Sequence, residues 1–197
     1  QMSSQHISLK NVLFATDFSK HSDDALPFVI SIARKYGSTV FAAHVHSTSP
    51  LGGHPPTVEL QALASQALKE ARASLEALKT PLGGIPHEFI VRAGDVWGEL
   101  SSILETKEID LIVVGTHGRA GASKLLMGSV AERIFRESPC PVLTVGPNVS
   151  GEPGSIADIH TILYPTDFSP ESMAAFPYAV SLAQEDQARL YLLHVLT

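Results

Sequence analysis

The chain has 197 residues, 44% of them hydrophobic, and carries 14 basic against 20 acidic side chains for a formal net charge of −6. That length holds one full domain and part of another, with apolar content ample for a packed core. The acidic balance argues against a nucleic-acid partner, whose affinity would come from neutralised phosphates. No apolar run approaches a membrane span and the first residues lack a signal-peptide core, so a cytoplasmic protein without membrane contact is expected.

Strand-like and helix-like segments alternate from the start. Asn11 to Ala15 reads as a short strand, Ser22 to Tyr36 as a helix with Gly37 placed as a left-handed cap, and Ser38 to His46 as the next strand. A Gly- and Pro-rich loop over 47–56 leads to a long helix from Thr57 to Lys79. In it Leu60, Leu63, Ala67, Leu68, Ala71, Leu75 and Leu78 form one apolar stripe, which places the helix on the outside of a sheet. After Pro81-Leu82-Gly83-Gly84 come a strand near Glu88 to Ala93, a helix from about Val96 to Lys107 capped by Asp95, and the buried strand Leu111 to Gly115. A glycine loop, a helix from Val130 to Glu137 and the strand Pro141 to Val145 follow.

Parallel neighbours need crossover connections, and each of these strands is separated from the next by a helix or a long crossover. The expected fold is therefore α/β: a doubly wound five-stranded parallel sheet with helices on both faces, ending near Gly146. Cys140, between Pro139 and Pro141, reads as a core residue with no disulfide partner.

An internal repeat follows. "NVLFATDFS" at 11–19 recurs as "TILYPTDFS" at 161–169, and the register holds without a gap as far as His44-Val45 against His194-Val195. The expected organisation is a domain over 1–147, a linker over 148–159, and a partial β-α-β repeat over 160–197. Such a half-repeat leaves apolar faces and strand edges uncovered, so it is expected to pack on a partner chain or on the first domain and to make the chain at least dimeric.

The segment "GTHGRAGASKLLMGSVAERIF", from Gly115 to Phe135, places glycine-rich chain between a strand and a helix. A helix N-terminus after such a loop presents free N–H groups and the positive end of a dipole, which together bind phosphate. Gly128, Ser129, Val130 and Ala131 would supply those amides, and Arg119 has the geometry to pair with a phosphate. The alternative is structural: Ser129 and Glu132 form a Ser-x-x-Glu capping box and the glycines only turn the chain. Neither Gly-x-Gly-x-x-Gly nor the P-loop pattern is present, since Lys124 precedes Gly128. Asp17 and Val45 end the first two strands, where doubly wound sheets bind ligands. Asp17 would accept from a base or ribose there, or else serve as a turn residue. His44 and His46 share one strand face at a spacing a metal could use, but no third ligand is evident and a structural role is favoured.

Gly115-Thr116-His117-Gly118, nine residues, then Gly128-Ser129 resembles the Gly-x-x-Gly-(nine)-Gly-Ser/Thr signature of the ATP-binding branch of the universal stress protein family. Thr16-Asp17-Phe18-Ser19, His44-Val45 and Ser138-Pro139-Cys140-Pro141-Val142-Leu143-Thr144-Val145 resemble the same family, and the chain as a whole resembles a tandem member truncated within its second domain. The resemblance implies that Asp17 and Val45 hold adenine, that Ala15 and Val114 line the pocket, and that Gly115, His117 and Gly118 border the ribose and phosphates. Gly128, Ser129 and Val130 would bind the phosphates. Ala15 departs from the proline common there, which the second copy has as Pro165. The cofactor implied is ATP, with or without Mg²⁺, in one site per chain, and a homodimer through the strand Pro141 to Val145 is a further implication. The function expected is a nucleotide-dependent stress-response or regulatory module. The alternatives are a slow ATPase or nucleotidyl-transferring enzyme of the same architecture, and a scaffold without nucleotide.

Overall fold

The computed structural model describes residues 7–48, 57–116, 128–146 and 159–196. The chain divides into two compact units, the larger of Leu9–Ile156 and the smaller containing Ala157–Thr197. In the larger unit five strands pair in parallel: β1 (Asn11–Ala15), β2 (Thr39–Ser47), β3 (His87–Gly94), β4 (Leu111–Gly115) and β5 (Val142–Val145). Their order is β3-β2-β1-β4-β5, the expected doubly wound α/β sheet. β4 is buried throughout and β1 along its centre, so the middle of the sheet is covered on both faces. The start of β1 is pinned by Asp110, whose Oδ2 accepts from the N–H groups of Lys10 (2.7 Å) and Asn11 (2.9 Å).

The helix expected over 22–36 is two helices, α1 (Lys20–Asp23) and α2 (Leu26–Tyr36). Pro27 stands in the first turn of α2 and has no N–H to extend the ladder from α1, so the chain restarts there. Gly37 closes α2 at φ 65°, the left-handed cap expected of it. Three more helices follow: α3 (Val58–Ala77), α4 (Val96–Thr106) and α5 (Ser129–Glu137). Thr57 caps α3 by accepting from the Leu60 N–H, and Asp95 caps α4 by accepting from the Gly98 N–H at 2.8 Å.

Side chains alternate across the sheet. Leu13, Phe41, Ala43, Ile90, Ile112 and Val114 pack with Leu100, Ile103 and Leu104 of α4 and Ala131 and Ile134 of α5. The alternate residues Val12, Phe14, Val40, Ala42 and Val113 are buried on the other face, where α2 and α3 lie. The apolar stripe of α3 is buried only in part. Ala71 and Leu75 are in the core, but Leu60 and Leu63 are exposed, because the first turns of α3 have no apolar neighbour among the described residues.

The smaller unit contains β6 (Thr161–Pro165), α6 (Pro170–Ala174), α7 (Phe176–Glu185) and β7 (Arg189–Leu193), with β6 and β7 paired in parallel. It reproduces the β1 to β2 portion of the larger unit, including the helix break before a proline, here Pro177. One sheet face is bare. Leu163, Tyr191 and Leu193 are 59%, 52% and 44% exposed, whereas their counterparts Leu13, Phe41 and Ala43 are nearly inaccessible beneath α4 and α5. The expected linker over 148–159 lies outside the described residues, Ile159 excepted.

One glycine is demanded by close packing. A Cβ on Gly115, at the end of β4, would stand 2.5 Å from the His21 carbonyl oxygen and 3.1 Å from the Ser22 nitrogen. Bare backbone there lets α1 settle on the strand end. Gly115→Ala is accordingly expected to destabilise the fold by about 1–3 kcal/mol, read as a lowered denaturation midpoint at unchanged slope; a shift within error would show that α1 yields without cost.

Candidate functional site

The sheet winds outward in opposite directions from β1 and β4, and a cleft of ≈340 Å³ opens at the carboxyl ends of these strands. That is where open α/β sheets receive ligands, and the volume falls within the ~300–1,000 Å³ range of small-molecule sites. Ala15, Thr16 and Asp17 line it from the end of β1, Ala43, His44 and Val45 from β2, and Val114 and Gly115 from β4. Ser22 of α1, Val96 and Leu100 of α4, and Gly128 with Ser129, Val130, Ala131 and Ile134 of α5 complete the wall. The lining is mainly apolar, and its one charged side chain among the described residues is Asp17.

Asp17 is oriented by its own turn. Its Oδ1 accepts from the Ser22 hydroxyl at 2.6 Å and from the Ser19 N–H at 3.0 Å. The turn role and the cleft position therefore coexist in one residue. Ser19 also caps α1 by accepting from the Ser22 N–H. Burial, reinforced by Asp24 and Asp17, raises the neighbouring Asp23 carboxyl above its ordinary range, with Lys20 opposing.

The start of α5 decides between the two readings of Ser129. The N-cap is Gly128, which makes no side-chain bond, and Ser129 is already the first helical residue, so no capping box forms. Glu132 turns away to accept from Arg136 at 3.0 Å. The Gly128 N–H donates to the Thr116 carbonyl at 2.8 Å and ties together the two ends of the glycine loop. The N–H groups of Ser129, Val130 and Ala131 have no acceptor among the described residues and stand at the positive end of α5.

Of the residues singled out in the sequence, Ala15, Asp17, Val45, Val114, Gly115, Gly128, Ser129 and Val130 meet in this cleft. His117, Gly118 and Arg119 lie outside the described residues. Ala131, expected to supply an amide, also lines the cleft, and Thr16, Ser22, Ala43, Val96, Leu100 and Ile134 join the wall unforeseen. The recurrence of Ser22 as Ser172 was a visible signal for one of them. Nothing local in the helix read from about Val96 to Lys107 marks that Val96 and Leu100 reach an opening. His44 is buried with Nδ1 bonded to the Thr16 oxygen, and the described residues hold no cluster fit for a metal. Cys140 is a free, half-buried thiol at the core margin, its pKa raised by burial.

Fold and cleft together define a doubly wound α/β protein with a helix N-terminus at its topological switch point. The universal stress protein family model matches residues 8–146 and 158–197, and the chain belongs to that family. Universal stress protein MJ0531 of Methanocaldococcus jannaschii is 32% identical over 138 residues, covering 69% of this chain and 81% of that protein. The solved structure of MJ0577 from the same organism is 28% identical with a TM-score of 0.64, covering 73% of this chain and all of that one. A universal stress protein family member from Arabidopsis thaliana, solved with AMP bound, shares the fold at 18% identity, a TM-score of 0.50 and coverage of 74% and 99%. Among the described residues no helix is long and apolar enough to cross a membrane.

With no capping box to lose, Glu132→Ala is expected to change stability by less than about 0.5 kcal/mol, the worth of an exposed i,i+4 pair. A loss near 1 kcal/mol in chemical denaturation would restore the capping role of Ser129 and Glu132.

Proposed function

We propose that the cleft holds an adenine nucleotide, ATP with or without Mg²⁺, and that the protein is a cytoplasmic, nucleotide-dependent regulatory module of the stress response. The observation that carries this reading is the convergence of the α5 N-terminal amides with Asp17 and Val45 on one cleft. Phosphates meet the N–H groups of Ser129, Val130 and Ala131, with the Ser129 hydroxyl as a further donor. The base lies between Asp17 and Val45 against the apolar wall of Ala15 and Val114, and Gly115 borders the ribose and phosphates. An apolar slot for a ring beside a helix N-terminus for an anion fits a nucleotide better than either a free phosphate or a purely apolar ligand. The fold relative solved with AMP adds that this architecture accommodates an adenine nucleotide.

Mass spectrometry of nucleotide released from protein purified without added ligand, followed by calorimetric titration with ATP and GTP, tests the reading. Gly128→Val is expected to fold, because φ −62° and ψ 147° suit any residue. It is expected to lose ATP binding as the valine fills the approach to the α5 amides. Asp17→Ala is expected to weaken ATP by about 1–3 kcal/mol and to narrow the preference over GTP. Wild-type protein that neither carries nor binds an adenine nucleotide ends the reading, and phosphate release over time separates a binder from a slow ATPase.

The proposal includes two domains, residues 1–147 and a repeat of its first β-α-β unit over 160–197, and a homodimer through the β5 edge, the exposed β6–β7 face, or both. Exposed Leu163, Tyr191 and Leu193 beside an open strand edge favour association. Sedimentation velocity of the full chain is expected to show a dimer or larger, and Tyr191→Asp with Leu193→Asp to shift it toward monomer. A wild-type monomer with the segment after Gly146 rapidly clipped by protease would reject this assembly.

A further inference from the structure

The turn that carries Asp17 adopts a conformation that phenylalanine avoids. Phe18 stands at φ 60°, in the left-handed region that a bulky residue occupies only where its surroundings hold it. Three contacts do so. The Phe18 N–H donates to the Thr16 hydroxyl at 3.0 Å. The Phe18 ring lies against the His44 imidazole, centroids 4.6 Å apart. His44 Nδ1 lies 2.8 Å from the Thr16 carbonyl oxygen, and because a carbonyl only accepts, Nδ1 carries the proton. The buried His44 ring thereby ties the end of β2 to the turn after β1.

The smaller unit repeats the arrangement. Phe168 stands at φ 63° with its ring 4.8 Å from that of His194. His194 Nδ1 lies 2.7 Å from the Thr166 oxygen, and the Phe168 N–H donates to the Thr166 hydroxyl at 2.9 Å. The Ser169 N–H donates to Asp167 Oδ1 at 2.9 Å, as that of Ser19 does to Asp17. Hydrogen bonds from Ser169 and Ser172 hold the Asp167 carboxyl down to about 2, so it is ionised at neutral pH. The same residues thus build the same lock twice, which makes it a property of the turn's own sequence.

We propose that His44 and Phe18 are positioning residues that act through Asp17: they lock the turn with the carboxylate set toward the cleft before any ligand arrives, and so set the base selectivity of the site. Preorganisation of this kind removes an ordering cost that binding would otherwise carry. The inference rests on the cleft being an adenine-nucleotide site, but the lock itself can be read without ligand.

Amide hydrogen exchange on the ligand-free full chain provides that reading. His44→Ala is expected to raise exchange at the Phe18 and Ser19 N–H groups by about tenfold or more relative to β1 and β2. His44→Asn, whose amide can donate in place of Nδ1, is expected to restore protection. Phe18→Gly accepts the positive φ without strain, so it is expected to fold at least as stably while losing the same protection. In titrations, His44→Ala and Phe18→Gly are expected to narrow the ATP-over-GTP preference as far as Asp17→Ala does, and to add nothing in the Asp17→Ala background. They should leave affinity for inorganic triphosphate, the probe without a base, within about twofold of wild type. Unchanged exchange at Phe18 and Ser19, undiminished ATP preference in folded Phe18→Gly, or a further loss from His44→Ala when Asp17 is already absent overturns the proposal. A wild type that binds no nucleotide overturns the site reading instead, and the exchange measurement still decides whether His44 locks the turn.

Discussion

A sheet whose strands all run the same way must return the chain across one of its faces after every strand, and the face chosen depends on the direction of winding. Here β1 leads outward to β2 and β3 while β4 leads outward to β5, so the winding reverses between β1 and β4. Helices on opposite faces diverge from that seam and, among the described residues, leave a gap at the carboxyl ends of two central strands. The cleft is a consequence of this single topological constraint. Most of the residues that reach it stand near a strand end or a helix start.

What the seam admits is then a matter of small side chains and backbone polarity. Ala15, Ala43 and Gly115 keep the strand ends narrow, and the absent side chain of Gly115 lets α1 approach until its backbone lies against β4. That approach brings Ser22 over Asp17, so the glycine of one strand fixes the carboxylate of another. α5 begins without a side-chain cap, and its first residues line the same cleft. An apolar cleft that holds both a carboxylate and a helix N-terminus favours a ligand with an anionic group beside an apolar one.

The smaller unit separates local from global causes. Its turn after β6, its helix break at Pro177 and its strand pairing match those of β1 to β2, so these features follow from the repeated residues themselves. Its exposed Leu163, Tyr191 and Leu193 do not match their counterparts, which are buried beneath α4 and α5; no described element of the smaller unit takes that place.

Much could be read directly from the order of residues. Strand positions, the Gly37 and Asp95 caps, the parallel α/β class, the repeat and the places of Asp17, Val45 and the α5 start are encoded by spacing, turn chemistry and apolar runs, which act within a few residues of one another. The sequence alone left Ser129 divided between a cap and an anion donor, since both uses fit Ser-x-x-Glu; only the backbone path of α5, starting at Gly128, separates them. It gave no sign that Val96 and Leu100 reach the cleft, because no local pattern marks which end of a helix overhangs a gap. It made Leu60 and Leu63 look buried, since periodicity sets which face is apolar but not how far the neighbouring sheet extends beneath it. The clash that forces glycine at 115 comes from His21, distant in sequence, and the lock on Phe18 comes from His44 on another strand. Interactions between residues far apart in the chain exist only once the sheet has brought strand ends together, and for that reason the tertiary structure alone decided them.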